Sequence, residues 1–271
     1  MMQQAQDFLD ESEAVFALVS PLSDAGLETP TLFKQWTISD IIGHLHMWNW
    51  AADLSLKDGP AFRRFWDEVT AHMSAGKTLT AFERAWLGDL KGKALVAAWR
   101  EFYLPMASRF GASDPAARVV WAGPDMSVRS SITARLMETW AHAQAIYDIL
   151  ARDRHDGARL RNIVVLGVNT YGWTFANRKQ QAPQPMPHVR LTGPSGETWA
   201  YGEESVGERI EGSATAFCQV VAQTRNIADV DLTVIGPNAR LWMDNAQCFA
   251  GPPETPPAPG VRHKSTAPFV A

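Results

Sequence analysis

The stretch METWAHAQAIYDIL, Met137 to Leu150, places a glutamate and a histidine four residues apart within an otherwise apolar helical pattern. Residues four apart lie on one face of a helix, so Glu138 and His142 can present an oxygen and a nitrogen to one point. An ion pair or hydrogen bond within the helix is the ordinary interpretation of such a pair. Because the neighbours are apolar, an unpaired carboxylate would cost several kcal/mol there. Arg135, one turn earlier, competes with a metal ion as its partner.

A third ligand has to come from another helix, and DIIGHLHMWNWAA (40–52) can supply it. Its two histidines are two residues apart and point about 200° apart on a helix, so only one can face the core. We expect His44 to face inward with Ile41 and Trp48, and His46 to face sideways or into solvent. Two imidazoles and one carboxylate leave one position of tetrahedral zinc open, as in catalytic sites. Nickel, iron and manganese accept the same ligands.

Apolar periodicity predicts several long helices joined by short connections, which favours an antiparallel bundle. Thr37 is expected to cap the helix that contains His44, with Asp40 in its first turn, and this helix should end near Lys57. The other helical segments are 3–19 and the regions near 61–75, 80–110, 129–151 and 157–177.

The proline-rich run 179–187 predicts a domain boundary after Arg178, which gives a first domain of residues 1–178. Beyond it, a β-hairpin around 193–196 and two later helices, 213–225 and 238–249, predict a small α+β domain over residues 188–250. The tail, 251–271, has five prolines in its first nine residues and should be extended or disordered.

Composition narrows the possible functions. The net charge is −4 and basic residues are scattered, which argues against binding to nucleic acid or to an anionic membrane. No apolar run is long enough to span a bilayer and no signal peptide is visible, so we expect a cytoplasmic protein. Cys218 and Cys248 are expected to be reduced core residues.

The sequence gives little support for other kinds of functional site. The sequence has no GxGxxG, GxxxxGK[ST] or GxSxG motif, so dinucleotide, phosphate-loop and α/β-hydrolase sites lack support. Arg225, at the end of the helix 213–225, is a candidate for binding an anionic substrate, although a surface salt bridge is the commoner role of such a residue.

The two motifs WTISDIIGHL and RLMETWAHAQAIYDIL together resemble the N-terminal domain of the mycothiol-dependent maleylpyruvate isomerases, a branch of the DinB-like metal-binding four-helix bundles. The resemblance implies zinc ligation by His44, Glu138 and His142, and an α+β protein in which a four-helix bundle precedes a small sterol-carrier-like α/β domain. The segments LRNIVVLGVNTYGWTFANR and VRLTGPSGETWAYG extend the resemblance to about residue 250.

The resemblance also implies an activity. A metal-activated thiol, mycothiol or glutathione, would add to an activated cis double bond and leave after rotation, or would be transferred to an electrophile. Two alternatives stay open: a hydrolase that uses zinc-bound water, and a non-catalytic protein that binds an apolar or acyl ligand. We expect small-molecule partners and a monomer or homodimer.

Overall fold

The computed structural model describes residues 1–266, which form two compact units. The first unit comprises Met1–Ala151 and, from the carboxyl end, Ser265 and Thr266; the second comprises Arg152–Lys264. The first is almost entirely helical and the second combines helices with a small sheet, so the expected mixture of helices with a small sheet is confirmed. Among the described helices, none is long and apolar enough to cross a membrane.

The first unit contains seven helices and one short hairpin within the described range. They are α1 (Gln3–Val19), α2 (Asp24–Leu27), α3 (Ile38–Lys57), α4 (Gly59–Ser74), α5 (Leu79–Leu87), α6 (Gly92–Ala112), β1 (Arg118–Val119), β2 (Met126–Ser127) and α7 (Val128–Ile149). The predicted helices 3–19 and 38–57 are confirmed, and the predicted segment 80–110 is two helices separated near Gly88.

Four long helices form the centre of this unit. Helix α1 packs against α6 and α7, and α3 packs against the same two helices. Large apolar side chains from all four fill the space between them and are fully buried, among them Phe8, Ile41, Trp99 and Ile132. Helices α4 and α5 cover the outer side of α3 with a second aromatic cluster that includes Trp48. Helices α3 and α7 therefore meet in a largely apolar interior.

The second unit contains a four-stranded mixed sheet. Its elements are α8 (Leu160–Asn169), α9 (Tyr171–Ala176), β3 (His188–Thr192), β4 (Thr198–Tyr201), β5 (Arg209–Ser213), α10 (Ala214–Val221), a 3-10 turn (Ile227–Asp229), β6 (Leu232–Ile235) and α11 (Pro237–Asn245). The strand order is β4-β3-β5-β6, with β3 and β5 parallel and the other two pairs antiparallel. The predicted hairpin is β3–β4, and the two helices predicted after it are α10 and α11.

The boundary predicted after Arg178 differs from the division of the structure, which falls after Ala151. Helices α8 and α9, assigned to the first domain from the sequence, belong to the second unit because α8 packs against α10. Gly167 allows this close packing: a Cβ at that position would lie 2.8 Å from a methyl group of Val221 and 3.0 Å from the ring of Phe217.

The tail is expected to be extended or disordered, and the structure shows an irregular segment held by hydrogen bonds. Residues 251–264 contain no helix or strand, but side chains of the second unit bind their backbone. Asn226 Nδ2 donates to the carbonyl of Pro257 at 2.8 Å, and the Gly260 N–H donates to Asp229 Oδ1 at 2.9 Å. Residues 267–271 of the predicted tail lie outside the described residues.

The two cysteines match their predicted role. Cys218 and Cys248 are both buried and neither forms a disulfide. Burial raises the pKa of the Cys218 thiol well above its ordinary value, and this favours the neutral, unreactive form.

The close packing at Gly167 predicts that alanine destabilises the protein at this position but not at Gly172. We expect Gly167→Ala to lower the free energy of unfolding by about 1–3 kcal/mol, because the added methyl group overpacks the contact between α8 and α10. Gly172→Ala in α9 is the matched control, since nothing lies within 4 Å of its Cβ position; it should be neutral or stabilise by about 0.4–1 kcal/mol. Urea denaturation of the two variants measures the difference, and equal effects would contradict the packing argument.

Candidate metal centre

The amino end of α3 is fixed by reciprocal hydrogen bonds between Thr37 and Asp40. The Asp40 N–H donates to Thr37 Oγ1, and the Thr37 N–H donates to Asp40 Oδ2, both at 3.0 Å. Each bond satisfies a backbone donor that has no partner within the helix. This capping box confirms the predicted helix start and places His44 within the first two turns of α3.

Helix α5 is tied to α3 through the same aspartate. Arg84 Nε and Nη2 donate to the two carboxylate oxygens of Asp40, each at 2.8 Å. Burial raises the pKa of Asp40, but the hydrogen bonds from Arg84 and Thr37 outweigh it and hold the pKa below its usual value. The ion pair keeps the preceding residue of α5, Glu83, close to α3.

The structure brings the three predicted ligand residues together. On α7, Glu138 Oε2 lies 3.2 Å from His142 Nε2, and the same oxygen lies 3.8 Å from His44 Nε2 on α3. One ligand atom from each of the three residues lies within 4.8 Å of the others. The histidine side chains are about nine-tenths buried, and the Glu138 side chain is 23% exposed. The cluster is therefore buried but accessible at its carboxylate.

Aromatic rings hold the two imidazoles. The ring of Trp36 stacks on that of His142 with an interplanar angle of 3°, and Phe33 meets the same imidazole edge-on. Trp36 also contacts the ring of His44, whose other side faces Trp48. These contacts restrict rotation of both histidines and keep water away from much of their surface. Two tryptophans, Trp36 and Trp48, thus form part of the immediate surroundings of His44.

Glu83 is a member of the site that the sequence did not reveal. Its Oε1 lies 2.7 Å from His44 Nδ1 and accepts a hydrogen bond from Trp48 Nε1 at 3.0 Å. The carboxylate is almost fully buried. With the proton on Nδ1 facing Glu83, neutral His44 presents the lone pair of Nε2 to Glu138. One sequence signal was available: Glu83 lies one helical turn from the apolar residues Leu79 and Leu87.

Arg135 does not pair with Glu138 as the competing prediction supposed. Its Nε donates to Asn49 Oδ1 on α3 at 3.0 Å, and both side chains are buried. The guanidinium is close enough to lower the pKa of Glu138 and of His142 through its charge. It is thus a buried cation beside the ligand cluster.

His46 takes no part in the cluster, as its spacing from His44 predicted. Its ring packs between Trp86 and Phe102, with centroid distances of 5.7 Å to each. The residue is buried, so the solvent-facing alternative is wrong. Burial without a charged partner lowers the pKa of His46 to about 4, which keeps it neutral at neutral pH.

Arg225, the residue named for an anionic substrate, lies just after α10 in the second unit. Its Nη1 donates to the carbonyl of Thr224 at 2.9 Å. Its role in substrate binding stays a prediction.

Charges within the cluster perturb the titration of all three ligand residues. Burial lowers the pKa of His44, but the carboxylates of Glu83 and Glu138 outweigh it and raise the pKa to about 9. Burial raises the pKa of Glu138, yet hydrogen bonds from the two histidines bring it well below its usual range. Burial and the charge of His44 lower the pKa of His142. In the metal-free cluster, therefore, His44 carries the positive charge and lies beside the carboxylates of Glu83 and Glu138.

The donor set is suited to a divalent metal. Two imidazole nitrogens and one carboxylate oxygen are typical zinc ligands. Bonds of about 2.0–2.1 Å at tetrahedral angles place ligand atoms about 3.3 Å apart, and the two distances to Glu138 Oε2 are 3.2 and 3.8 Å. All three ligand atoms lie within 4.8 Å of one another, so binding a cation would require that His44 release its proton and that the side chains draw closer together.

The region that contains the cluster is similar to a known protein family. Residues 8–147 match the family model described as the mycothiol maleylpyruvate isomerase N-terminal domain, a range that includes all three ligand residues. Two uncharacterized proteins of Mycobacterium tuberculosis, from strains CDC 1551 and H37Rv, are each 34% identical over 247 residues, which is 91% of this chain and 95% of theirs.

The chain also aligns with solved structures. A crystal structure of the mycothiol-dependent maleylpyruvate isomerase aligns with 81% of this chain and 89% of its own, at 15% identity and a TM-score of 0.49. A mutant of that enzyme gives the same values.

The raised pKa of His44 predicts how the stability of the metal-free protein depends on pH. Folded His44 holds its proton up to about pH 9, whereas an unfolded histidine releases it at about pH 6.5. Its contribution to the free energy of unfolding is complete below the unfolded pKa and is lost as the pH rises through the folded pKa. We expect a decline of about 1 kcal/mol per pH unit across this window.

Urea denaturation of chelator-treated protein at three pH values between the two pKa values measures this decline. His44→Gln should remove the slope, whereas His46→Asn should keep it, since His46 is neutral throughout. An unchanged slope in His44→Gln would show that another group titrates.

Proposed function

This chain belongs to the family defined by the mycothiol maleylpyruvate isomerase N-terminal domain, and on that premise we propose that it is a metal-dependent enzyme that uses a low-molecular-weight thiol. The reaction is isomerisation of, or thiol transfer to, a small electrophile such as an α,β-unsaturated acid. The convergence of His44, Glu138 and His142 on one point, with ligand atoms within 4.8 Å, is the observation that carries the proposal.

The fold assignment that accompanies this proposal is a DinB-like four-helix bundle followed by a sterol-carrier-like domain. Pairwise packing of α1 and α3 against α6 and α7 supports a bundle with the metal ligands on α3 and α7. The mixed sheet of the second unit, with α10 packed on β3 and β5, supports the second assignment.

The site would act by supplying a nucleophile at neutral pH. When bound, zinc supplies a Lewis acid that lowers the pKa of a thiol into the neutral range. His44 and His142 would hold the ion through neutral imidazoles, and Glu138 would contribute an oxygen and one negative charge. Trp36 and Phe33 exclude water from the imidazoles and so strengthen electrostatic interactions within the site.

The proposed isomerisation proceeds by addition and expulsion of the thiolate. The thiolate adds to one carbon of a cis double bond conjugated to a carbonyl, and the electron pair of the double bond moves onto the carbonyl oxygen. Rotation about the resulting single bond and expulsion of the same thiolate restore the double bond in the trans form. Mycothiol and glutathione are the two thiols proposed, and mycothiol is the one named for the family.

The proposed function predicts, first, that the protein binds a metal ion. Purified protein should bind one zinc ion per chain, and His44→Ala or His142→Ala should lower the affinity by at least about a hundredfold, because each removes one of three ligands. Competition with a chromogenic chelator measures the affinity. His46→Asn is the control and should bind zinc as the wild type does. A wild type that does not bind zinc would overturn the proposal.

The second prediction concerns the thiol. Zinc-loaded protein should convert maleylpyruvate, or add a thiol to a related electrophile, only when mycothiol or glutathione is present. Rates without thiol, with each thiol, and with the metal removed separate the candidate functions. Turnover without thiol would indicate a hydrolase, and an apolar ligand that changes tryptophan fluorescence in the metal-free protein would indicate a binding protein.

The third prediction concerns Glu83. Because its carboxylate orients His44, Glu83→Ala should weaken zinc binding about tenfold to hundredfold. Glu83→Gln should have a smaller effect, since an amide oxygen can accept the bonds from His44 and Trp48. Glu68→Ala, at an exposed position on α4, is the matched control and should leave the affinity unchanged. Equal affinities for Glu83→Ala and Glu68→Ala would contradict an orienting role.

A further inference from the structure

Two hydrogen-bond donors between α3 and α7 have no acceptor among the described residues. They are Nη2 of Arg135 and Nδ2 of Asn49, and both atoms are buried. The Arg135 residue is 3% exposed and Asn49 is fully buried. The bond from Arg135 Nε to Asn49 Oδ1 fixes the orientation of the amide, so its NH2 group is the part left without a partner.

These unpaired donors are costly in a folded interior. A buried donor without an acceptor costs about 1–3 kcal/mol, and more when it belongs to a charged group. More than nine-tenths of buried polar groups in proteins find a partner. A methionine or leucine would fill the same volume without this cost. Two such donors on neighbouring side chains therefore mark a place where an acceptor can bind.

The neighbouring carboxylate does not serve as that acceptor. Glu138, one turn from Arg135 on α7, directs its Oε2 at His142 and His44 instead. Arg135 stays cationic at neutral pH, because burial lowers its pKa only to about 10. The guanidinium thus keeps a charge and a free N–H beside the ligand cluster.

We propose that Arg135 Nη2 and Asn49 Nδ2 together bind one carboxylate of a small molecule that reacts at the His44–Glu138–His142 cluster. The assignment rests on the proposed function and adds to it the residues that hold the reactant. A carboxylate oxygen accepts from both donors, and a guanidinium is well suited to carboxylates.

The spacing along α7 allows such a reactant to reach the cluster. Arg135, Glu138 and His142 lie on one face of the helix, at positions i, i+3 and i+7. Arg135 and Glu138 are about 4.5 Å apart along the helix axis, at about 1.5 Å per residue. A short unsaturated acid held by its carboxylate at Arg135 would therefore have its double bond on the side of Glu138.

The charges agree with an anionic reactant. Arg135 is a buried cation, and its Nε donates to the neutral amide of Asn49 rather than to a carboxylate. A carboxylate would neutralise this cation, whereas a cationic reactant would be repelled.

Anion binding to the chelator-treated protein tests the subsite without its metal. Maleate is titrated at constant ionic strength and followed by tryptophan fluorescence. Arg135→Met should weaken maleate binding at least tenfold. Arg100→Met is the matched control: it removes a different arginine, which pairs with Glu13, and should bind maleate as the wild type does. A wild type that does not bind maleate, or equal binding by Arg135→Met, would overturn the proposal.

A second variant keeps the test decisive if Arg135→Met does not fold. Asn49→Asp places a carboxylate next to Arg135, which satisfies the guanidinium internally. We expect this variant to fold and to bind maleate at least tenfold more weakly than the wild type. Unchanged maleate binding in Asn49→Asp would contradict the subsite.

Steady-state kinetics distinguish failure of the carboxylate subsite from failure of the proposed thiol-dependent function. In zinc-loaded enzyme, Arg135→Met should raise KM at least tenfold for an unsaturated acid and leave KM unchanged for its methyl ester. If the enzyme is thiol-dependent but Arg135→Met changes neither value, the subsite alone is wrong. Glutathione also carries carboxylates, so glutathione binding is titrated in parallel. Weakening for maleate alone would assign the bound carboxylate to the electrophile, and weakening for both would show that a carboxylate of glutathione competes for the same donors. Weakening for glutathione alone would overturn the proposal, because maleate binding would then be unchanged.

Discussion

Glu138 lies between two imidazoles in the apolar interior of the first unit, and the geometry of the site depends on this interaction. A carboxylate at this depth is stable only with cationic or hydrogen-bonding partners. His142 is available from the same helix, but His44 must come from α3, so α3 and α7 have to approach closely at this level. The capping box at Thr37 sets where α3 starts, and Glu83 fixes the ring of His44. The capping box and Glu83 thus both help to place the ring of His44 beside Glu138 Oε2.

The grouping of His44, Glu138 and His142 could be predicted because most of its signal is local. Glu138 and His142 are one turn apart in one helix, and the start of α3 is encoded by Thr37 and Asp40 within four residues. Only the pairing of α3 with α7 required a tertiary assumption, and the resemblance to a known family supplied it. The division of His44 and His46 between two faces also follows from helical geometry alone.

The parts that escaped prediction depend on contacts between distant segments. Glu83 reaches His44 across 39 residues, and Asn49 meets Arg135 across 86, so neither contact leaves a periodic signal. Strand β5 was missed because it pairs in parallel with β3 through a crossover, and its sequence RIEGS lacks an apolar alternation. The proline-rich run after Arg178 ends the first helical region of the sequence. The boundary between the units lies before α8, however, because α8 packs against α10 at Gly167. Local composition identified breaks in secondary structure, whereas packing determined the division into units.

Polar groups left unpaired around the cluster argue that this interior is arranged for a ligand at some cost in stability. Besides the donors of Arg135 and Asn49, the Oε2 of Glu83 and the Nδ1 of His142 are buried without a partner among the described residues. A core selected for stability alone would replace such groups with apolar side chains of similar volume. The aromatic cluster on the outer side of α3 and the apolar contacts of α1 and α6 can offset that cost, because they bury large side chains completely. The apolar shell therefore stabilises a polar layer that includes buried donors and acceptors without partners among the described residues.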